Sequence, residues 1–390
     1  MATTFVDLPR IQRPTLLLAA VIAAALFATL WGQSQTRAWV LLIGLGLGVS
    51  LYHAAFGFTA AYRRAIEDKD LSGIAAQVVM LIVAMVLFAP MLTAGEVFGH
   101  RAGGAVAPVS VAMLTGAFVF GIGMQLGGAC ASGTLFTVGG GNSRMMVTLV
   151  FFCLGSWWGT LDLAWWRALP GLPPIALGKE IGYGPAVALQ AGLLILVLAG
   201  LYRLGARMHK PLGWGGSFAW HKLLQGPWPL LWGALGLALL NAAMLMVTGQ
   251  PWGVTWGFTL WGAKAMAALG WEPSTSAYWS QGWTSGALDR SILSSSVSVS
   301  NIGILIGALA AGSLAGKIGP TLRIGWRPLA AAVIGGLMMG YGARLAYGCN
   351  IGAFFSGVAS TSLHGWAWIV MALLGSVIGI RLRPWFRLGT

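Results

Sequence analysis

Two stretches of this chain read Gly116-Ala-Phe-Val-Phe-Gly121-Ile-Gly123-Met-Gln-Leu-Gly-Gly-Ala-Cys130-Ala-Ser-Gly133-Thr-Leu-Phe136 and Gly335-Gly-Leu-Met-Met-Gly340-Tyr-Gly342-Ala-Arg344-Leu-Ala-Tyr-Gly-Cys349-Asn350-Ile-Gly352-Ala-Phe-Phe355. Six residues of the first recur in the second at a spacing of 219: Gly116, Gly121, Gly123, Cys130, Gly133 and Phe136 match Gly335, Gly340, Gly342, Cys349, Gly352 and Phe355. Two of the six are cysteines, in a chain that has only three. The match predicts two related halves, each with an apolar run that ends at a single thiol within a cluster of glycines.

The composition is that of an integral membrane protein. Hydrophobic residues make up 57% of the 390 residues and charged residues 8%, whereas charged residues make up about a quarter of a typical globular chain. The mean hydropathy is +0.79, and eight or nine apolar runs reach the roughly 18 residues that predict a transmembrane helix. We therefore predict an all-α integral membrane protein, a pseudo-two-fold repeat of two halves with broken or re-entrant helices around a central pathway.

Apolar runs and basic clusters divide the chain into four predicted segments: a transmembrane helix in 1–38, a first half in 39–202, a basic linker in 203–227 and a second half in 228–390. The run at 15–31 is longer than the roughly 7–15 apolar residues of a signal peptide, so the helix is favoured. A shorter and weaker repeat supports the division into two related halves, since Phe56-Gly57-Phe58-Thr59 recurs as Trp256-Gly257-Phe258-Thr259.

The net charge of +14 is spread over short basic clusters at the ends of apolar runs. This is the pattern of cytoplasmic loops in membrane proteins, and it argues against nucleic-acid binding. The clusters in the linker and at the chain end therefore predict a cytoplasmic linker and cytoplasmic termini; they contain Arg203, Arg207, Lys210, Lys222, Arg381, Arg383 and Arg387.

The glycines from Gly127 to Gly141 predict an interruption of the helix around Cys130, because glycine is a poor helix former. Transporters use such broken helices to place backbone groups at mid-membrane depth, where irregular backbone is tolerated only if it is buried or lines a cavity. The interruption is therefore a candidate substrate site. Three cysteines without a CxxC pair predict no metal site and no cofactor, and a Cys130–Cys349 disulfide stays open.

The motifs Gly-Ala-Cys130-Ala-Ser-Gly133 and Gly-Cys349-Asn350-Ile-Gly352 resemble those of the YeeE/YedE family of bacterial inner-membrane proteins, over most of residues 40–383. The resemblance implies uptake of thiosulfate or a related sulfur or selenium species through an hourglass-like helical bundle with short re-entrant helices. It implies that the central cysteines, Cys130 and Cys349 here, pass the anion along by thiol hydrogen bonds. It also implies a small cytoplasmic sulfur-carrier or sulfurtransferase as a partner protein.

Some family members have a further cysteine near the entry, and the matching positions here are Thr59 and Thr259. A hydroxyl is a harder donor than a thiol, so this departure concerns the entry part of the pathway. The predicted pathway residues are Cys130, Cys349, Gly128, Gly133, Gly348, Gly352, Asn350, Arg344, Thr59 and Thr259.

The residue types fit a soft dianion. A neutral thiol is a weak S–H donor that a terminal sulfur can accept, and glycine N–H groups add positive potential without a full charge. A charge inside an apolar run is a functional candidate by default, although Arg344 and Arg144 could instead bind backbone carbonyls or reach the interface. Asn142 and Asn350 could donate to the oxygen atoms of the anion or could equally cap helices. For Cys153 we favour simple packing.

Three alternatives remain at this point. The substrate could be sulfite, sulfide or a selenium compound. A membrane sulfurtransferase could instead carry sulfur as a cysteine persulfide, which needs an activated thiolate beside a cation; with no general base or cofactor motif in the sequence, we predict a transporter and not an enzyme. A structural membrane protein would leave the recurring thiols unexplained.

Overall fold

The structure is a computed structural model that describes residues 11–213, 220–319 and 324–389. Within these ranges the α-helices are α1 (Arg13–Gln33), α2 (Gln35–His53), α3 (Phe58–Glu67), α4 (Ser72–Ala94), α5 (Val111–Gly127), α6 (Ala131–Gly139), α7 (Ser143–Leu161), α8 (Leu163–Arg167), α9 (Leu177–Ile181), α10 (Tyr183–Arg203), α11 (Trp220–Gln225), α12 (Leu230–Thr248), α13 (Thr255–Ala268), α14 (Gly282–Asp289), α15 (Ser296–Leu314), α16 (Trp326–Leu345), α17 (Ser356–Ala359) and α18 (Leu363–Leu382). A π-helical turn, Asn350–Phe355, leads into α17.

Ten helical stretches of the described chain are long and apolar enough to cross a membrane. The only sheet in those ranges is a hairpin of β1 (Glu96–Val97) and β2 (His100–Arg101). The all-α membrane class is therefore confirmed. The count exceeds the expected eight or nine, and the two motif helices α5 and α16 have 17 and 20 helical residues.

The two motif helices, α5 and α16, pack against each other through their glycines. A Cβ added at Gly116 would lie 2.6 Å from the carbonyl oxygen of Gly342, and one at Gly335 would lie 2.7 Å from that of Gly123. The helices are therefore antiparallel and close enough that only glycine fits, as is common where helices associate in lipid.

Each motif helix also packs against the long helix that follows the other motif, because α16 contacts α7 and α5 contacts α18. The close approaches are reciprocal. A Cβ at Gly121 would clash with the carbonyl of Ala372, and one at Gly340 would clash with that of Phe152. This pattern supports the two-fold repeat, which stays a prediction.

The predicted segment boundaries also stay predictions. Helix α1 covers the predicted first span and packs against α15 and α2. The predicted basic linker contains α11, and its residues 214–219 lie outside the described residues.

Candidate functional site

Cys130 lies at the start of α6, after a short interruption of the helix. α5 ends at Gly127, and Gly128 has a left-handed backbone with φ +94°. Cys130 is 1% exposed, and its Sγ lies 3.5 Å from Oγ of Ser132. The interruption was expected to extend from Gly127 to Gly141 without a helix, and this was wrong: Ala131–Gly139 is helical, so the non-helical backbone is divided between a short stretch at Cys130 and a turn at 140–142.

Cys349 has the equivalent position after α16. Tyr347 and Gly348 turn the chain with φ angles of +60° and +150°, and Cys349 precedes the π-helical turn. Its Sγ accepts a hydrogen bond from the backbone N–H of Ile351 at 3.4 Å, and its side chain is fully buried. The thiol hydrogen is therefore available to another acceptor.

The two thiols lie at the starts of segments that contact each other. α6 contacts the π-helical turn that follows Cys349. Both are free thiols, so the disulfide that the sequence left open is not formed. Gly352 leaves space, since a Cβ there would meet only Gly253, at 3.8 Å. A Cβ at Gly133 would lie 3.0 Å from Cβ of Ala129 and 3.5 Å from Cys130 Sγ, so that position is tight.

Asn350 connects the Cys349 motif to α3. Its Nδ2 donates to the hydroxyl of Tyr62 at 3.1 Å, and both side chains are buried. Asn350 Oδ1 is buried and has no partner within the described part of the chain. A buried amide oxygen without a hydrogen bond is costly, so this atom is available to a ligand or a water.

The predicted residue Thr59 lies one turn before Tyr62 on α3 and contacts the end of α5. Gln125 Nε2 donates to the backbone oxygen of Thr59 at 3.2 Å. The hydroxyl of Thr59 and Oε1 of Gln125 are both buried, and neither has a partner among the described residues. The Cys130 side of the site therefore has several unsatisfied polar atoms and no charged side-chain group among them.

The predicted residues Arg344 and Thr259 lie together on the Cys349 side. Arg344 Nη1 donates to Thr259 Oγ1 at 3.4 Å, while the Thr259 hydroxyl donates to the backbone of Thr255 at 3.0 Å. The guanidinium carbon is 6.0 Å from the ring centre of Tyr278. Arg344 Nε is buried without a partner in the described ranges, so one N–H of a full positive charge is uncommitted.

Arg144 uses its donors for the protein backbone. Its Nη2 donates to the carbonyl of Leu126 at 2.6 Å and its Nε to that of Pro328 at 3.1 Å. Arg383 binds the neighbouring carbonyl of Gln125 at 2.8 Å. Two arginines therefore satisfy the end of α5, where helical carbonyls lack partners. Asn142 caps α7, because its Oδ1 accepts from the N–H of Met145 at 3.1 Å.

Sequence reasoning missed Tyr62 and Gln125. Tyr62 lies among apolar and aromatic residues in α3, and nothing in the sequence around it indicates a functional role. Gln125 had a usable signal: it precedes Cys130 by five residues, as Arg344 precedes Cys349. A buried amide at the position equivalent to a noted arginine would have been a candidate.

A comparison with protein families shows which family the chain belongs to. The model of the family described as sulphur transport matches residues 53–378. The chain belongs to this family. The match confirms the family predicted from the two cysteine motifs, and it makes this chain a membrane transporter of sulfur compounds rather than an enzyme.

Two relatives of this sulphur transport protein are informative. Thiosulfate transporter TsuA of Spirochaeta thermophila is 28% identical over 350 residues, which cover 86% of this chain and 96% of that protein. Probable transporter YedE of Escherichia coli K12 is 31% identical over 170 residues, which cover 43% of this chain and 41% of that protein.

Proposed function

We propose that this chain takes up thiosulfate, or a closely related small sulfur oxyanion, through the bacterial inner membrane along the thiols of Cys130 and Cys349. The observation that carries the proposal is the pair of buried, free thiols at the starts of two adjacent short helical segments. The similarity to thiosulfate transporter TsuA supports the substrate. Cytoplasmic termini follow from the basic clusters.

The neutral thiols suit the soft end of the anion. Cys349 Sγ accepts from Ile351 N, so its hydrogen can be donated to the terminal sulfur of thiosulfate. A thiolate would repel a dianion, whereas a neutral S–H is a weak donor that releases the substrate easily. Weak binding at successive positions is what permeation requires.

Backbone and amide N–H groups suit the oxygen atoms of the anion. The first N–H groups of α6 point out of its N-terminus, where the helix dipole favours negative charge. A half-turn of the Asn350 amide would let the Tyr62 hydroxyl donate to Oδ1 and would free Nδ2 for a substrate oxygen. The two ends of an amide are exchangeable in this way, and the unpartnered Oδ1 makes the rearrangement inexpensive.

In this proposal four glycines keep the pathway narrow but open: Gly128, Gly133, Gly348 and Gly352. Arg344 and Thr259 would serve the anion on the Cys349 side, and the free hydroxyl of Thr59 would serve it on the Cys130 side. The partner protein, a cytoplasmic sulfur carrier or sulfurtransferase, stays a prediction from the family resemblance. The alternative substrates sulfite, sulfide and selenium compounds are tested by competition.

Uptake of labelled thiosulfate into proteoliposomes tests the proposal. Cys130→Ala and Cys349→Ala should each lower uptake about tenfold, because each removes a hydrogen bond to the anion at a step of the pathway. Cys153→Ala is the matched control and should retain uptake. Excess sulfite or selenite should compete less than unlabelled thiosulfate. Normal uptake by both site variants at equal protein levels would contradict the proposal.

A further inference from the structure

An apolar groove of about 420 Å³ lies between α4, α10 and α18. This volume is in the range of about 300–1,000 Å³ that is typical of ligand sites. Its walls are formed mainly by aliphatic side chains, among them Val78, Leu81, Leu194, Val197, Ile369 and Leu373. The groove is outside the thiol site but borders it, because Tyr62 and Phe354 contribute to its inner wall.

Helix α10 explains why the groove is open to the bilayer. It packs against α4 and the short helix α9, and most of its apolar residues are exposed, including Leu189, Ile195 and Leu196. Exposed leucines of a membrane helix contact acyl chains, which are as apolar as the side chains themselves. An aliphatic groove in such a surface therefore has the chemistry of an acyl-chain site.

One end of the groove lies beside two basic loops, one between α3 and α4 and one after α10. The lining residues Leu71 and Ala206 are there, and the backbone of Arg207 is bonded to that of Lys69 at 3.0 Å and to that of Leu71 at 2.9 Å. The side chains of Lys69 and Arg207 are exposed. These contacts bring the backbones of two basic residues from distant parts of the chain together at the end of the groove. The Arg207 guanidinium donates through Nη1 to the carbonyls of Tyr202 and Ala206 and lies over the Tyr202 ring, which fixes its charge there.

The neighbouring acids do not neutralise this end. The segments 63–70 and 203–210 together contain six arginine or lysine residues and three aspartate or glutamate residues. Asp70 is buried, and burial acts to raise its pKa, but hydrogen bonds from Ser72 and His209 and the charge of Arg64 hold the pKa below its ordinary value. Its carboxylate is therefore ionised and already occupied by the N–H and hydroxyl of Ser72 and the N–H of His209.

We propose that this groove binds one anionic phospholipid, with an acyl chain between α4, α10 and α18 and the phosphate at Lys69 and Arg207. Basic pockets at the ends of membrane helices bind anionic lipid headgroups by the same combination of contacts. The bound chain would lie against Tyr62, whose hydroxyl holds Asn350 beside Cys349. The lipid would thus complete the wall between the bilayer and the thiol site.

Native mass spectrometry of the purified full chain tests this proposal, with phosphatidylglycerol and phosphatidylethanolamine of equal chain length as probes. Two neighbouring positions on α10 provide matched variants. Val197→Trp places a large ring in the groove, whereas Leu196→Trp places the same ring on the exposed face, since Leu196 is 69% exposed and does not line the groove. The double variant Lys69→Gln with Arg207→Gln removes the two cations.

The wild type and Leu196→Trp should retain one phosphatidylglycerol, and Val197→Trp should lose it. The double variant should bind both lipids equally. The proposal is overturned if the wild type retains no lipid, if Val197→Trp retains as much as Leu196→Trp, or if phosphatidylethanolamine is retained equally by the wild type. A lipid-free dimer would show that a second copy of the chain occupies the groove, and this would overturn it as well.

Discussion

The two cysteine motifs occupy equivalent positions but differ in the residue five places before the thiol. On the Cys130 side this residue is Gln125, which donates to the backbone of Thr59. On the Cys349 side it is Arg344, which donates to the hydroxyl of Thr259. Two similar pieces of backbone therefore present a neutral amide on one side and a full positive charge on the other.

The arginines near Cys130 do not remove this difference. Arg144 and Arg383 donate to the carbonyls that end α5, whereas Arg344 has a buried N–H without a partner in the described ranges. On the Cys130 side the arginines therefore serve to satisfy helix carbonyls, whereas on the Cys349 side Arg344 is available to an anion. Under the proposed function, the anion would meet its strongest attraction on the Arg344 side and weaker groups on the Cys130 side.

The substitutions with the largest expected effect test whether the two motif helices pack equivalently. Gly121→Leu and Gly340→Leu should both abolish the folded protein, because a side chain at either position meets a backbone carbonyl and backbone cannot move aside as a side chain can. Overpacking alone costs about 1–3 kcal/mol or more. The measurement is the yield of monodisperse protein from membranes.

Gly192→Leu is the control for this pair, since a Cβ at Gly192 would meet nothing within 4 Å. If only one of the two motif variants were lost, the packing of the halves would not be equivalent.

The next effect tests the contrast between the arginines. Arg344→Gln makes the Cys349 side resemble the Cys130 side and should raise the KM for thiosulfate about tenfold, the value of one hydrogen bond to a charged group. Protein yield should change little. Arg144→Gln should do the opposite, lowering thermal stability because α5 loses a carbonyl partner and leaving KM nearly unchanged.

Uptake kinetics and thermal unfolding of both variants decide the matter. A normal KM in Arg344→Gln would assign that arginine to packing, as for Arg144.

The smallest effect compares the two threonines. The Thr59 hydroxyl has no partner in the described chain, while that of Thr259 is bonded to Thr255 and Arg344. Thr59→Val should therefore lower uptake about threefold if the free hydroxyl serves the substrate, consistent with about 0.5–1.5 kcal/mol for a neutral hydrogen bond. Thr259→Ser keeps the bonded hydroxyl and should have normal uptake. Equal uptake by wild type and Thr59→Val would remove Thr59 from the pathway.

Much of the fold could be predicted because membrane helices leave long apolar runs and tight turns need glycine. Gly128 and Gly348 were identified from their clusters, and both have left-handed backbone. The extent of the first interruption was not predictable, since Ala131–Gly139 forms a helix despite its two glycines once its first turns are buried among their neighbours. Tertiary packing overrides propensity in such short segments.

The site was predictable only where a residue type was unusual for its surroundings. Paired cysteines and an arginine in an apolar run stand out in a membrane chain. Tyr62 does not, because its partner Asn350 is 288 residues away and only the fold brings them together. The role of Arg144 depends in the same way on Pro328, 184 residues distant.

The π-helical turn after Cys349 has a consequence for how the two copies of the motif differ. From the residue after its cysteine to the end of its short helix, the first motif has nine residues, Ala131–Gly139. The second has six in the π turn and four in α17, which is one residue more. The six residues after the cysteine are α-helical in the first motif and π-helical in the second, and π turns often lie beside functional sites. Under the proposed repeat, the wider turn carries no inserted residue, because Cys130, Gly133 and Phe136 keep one spacing to Cys349, Gly352 and Phe355. The extra residue lies after Phe355, so the two copies differ next to their thiols in helical winding and not in chain length.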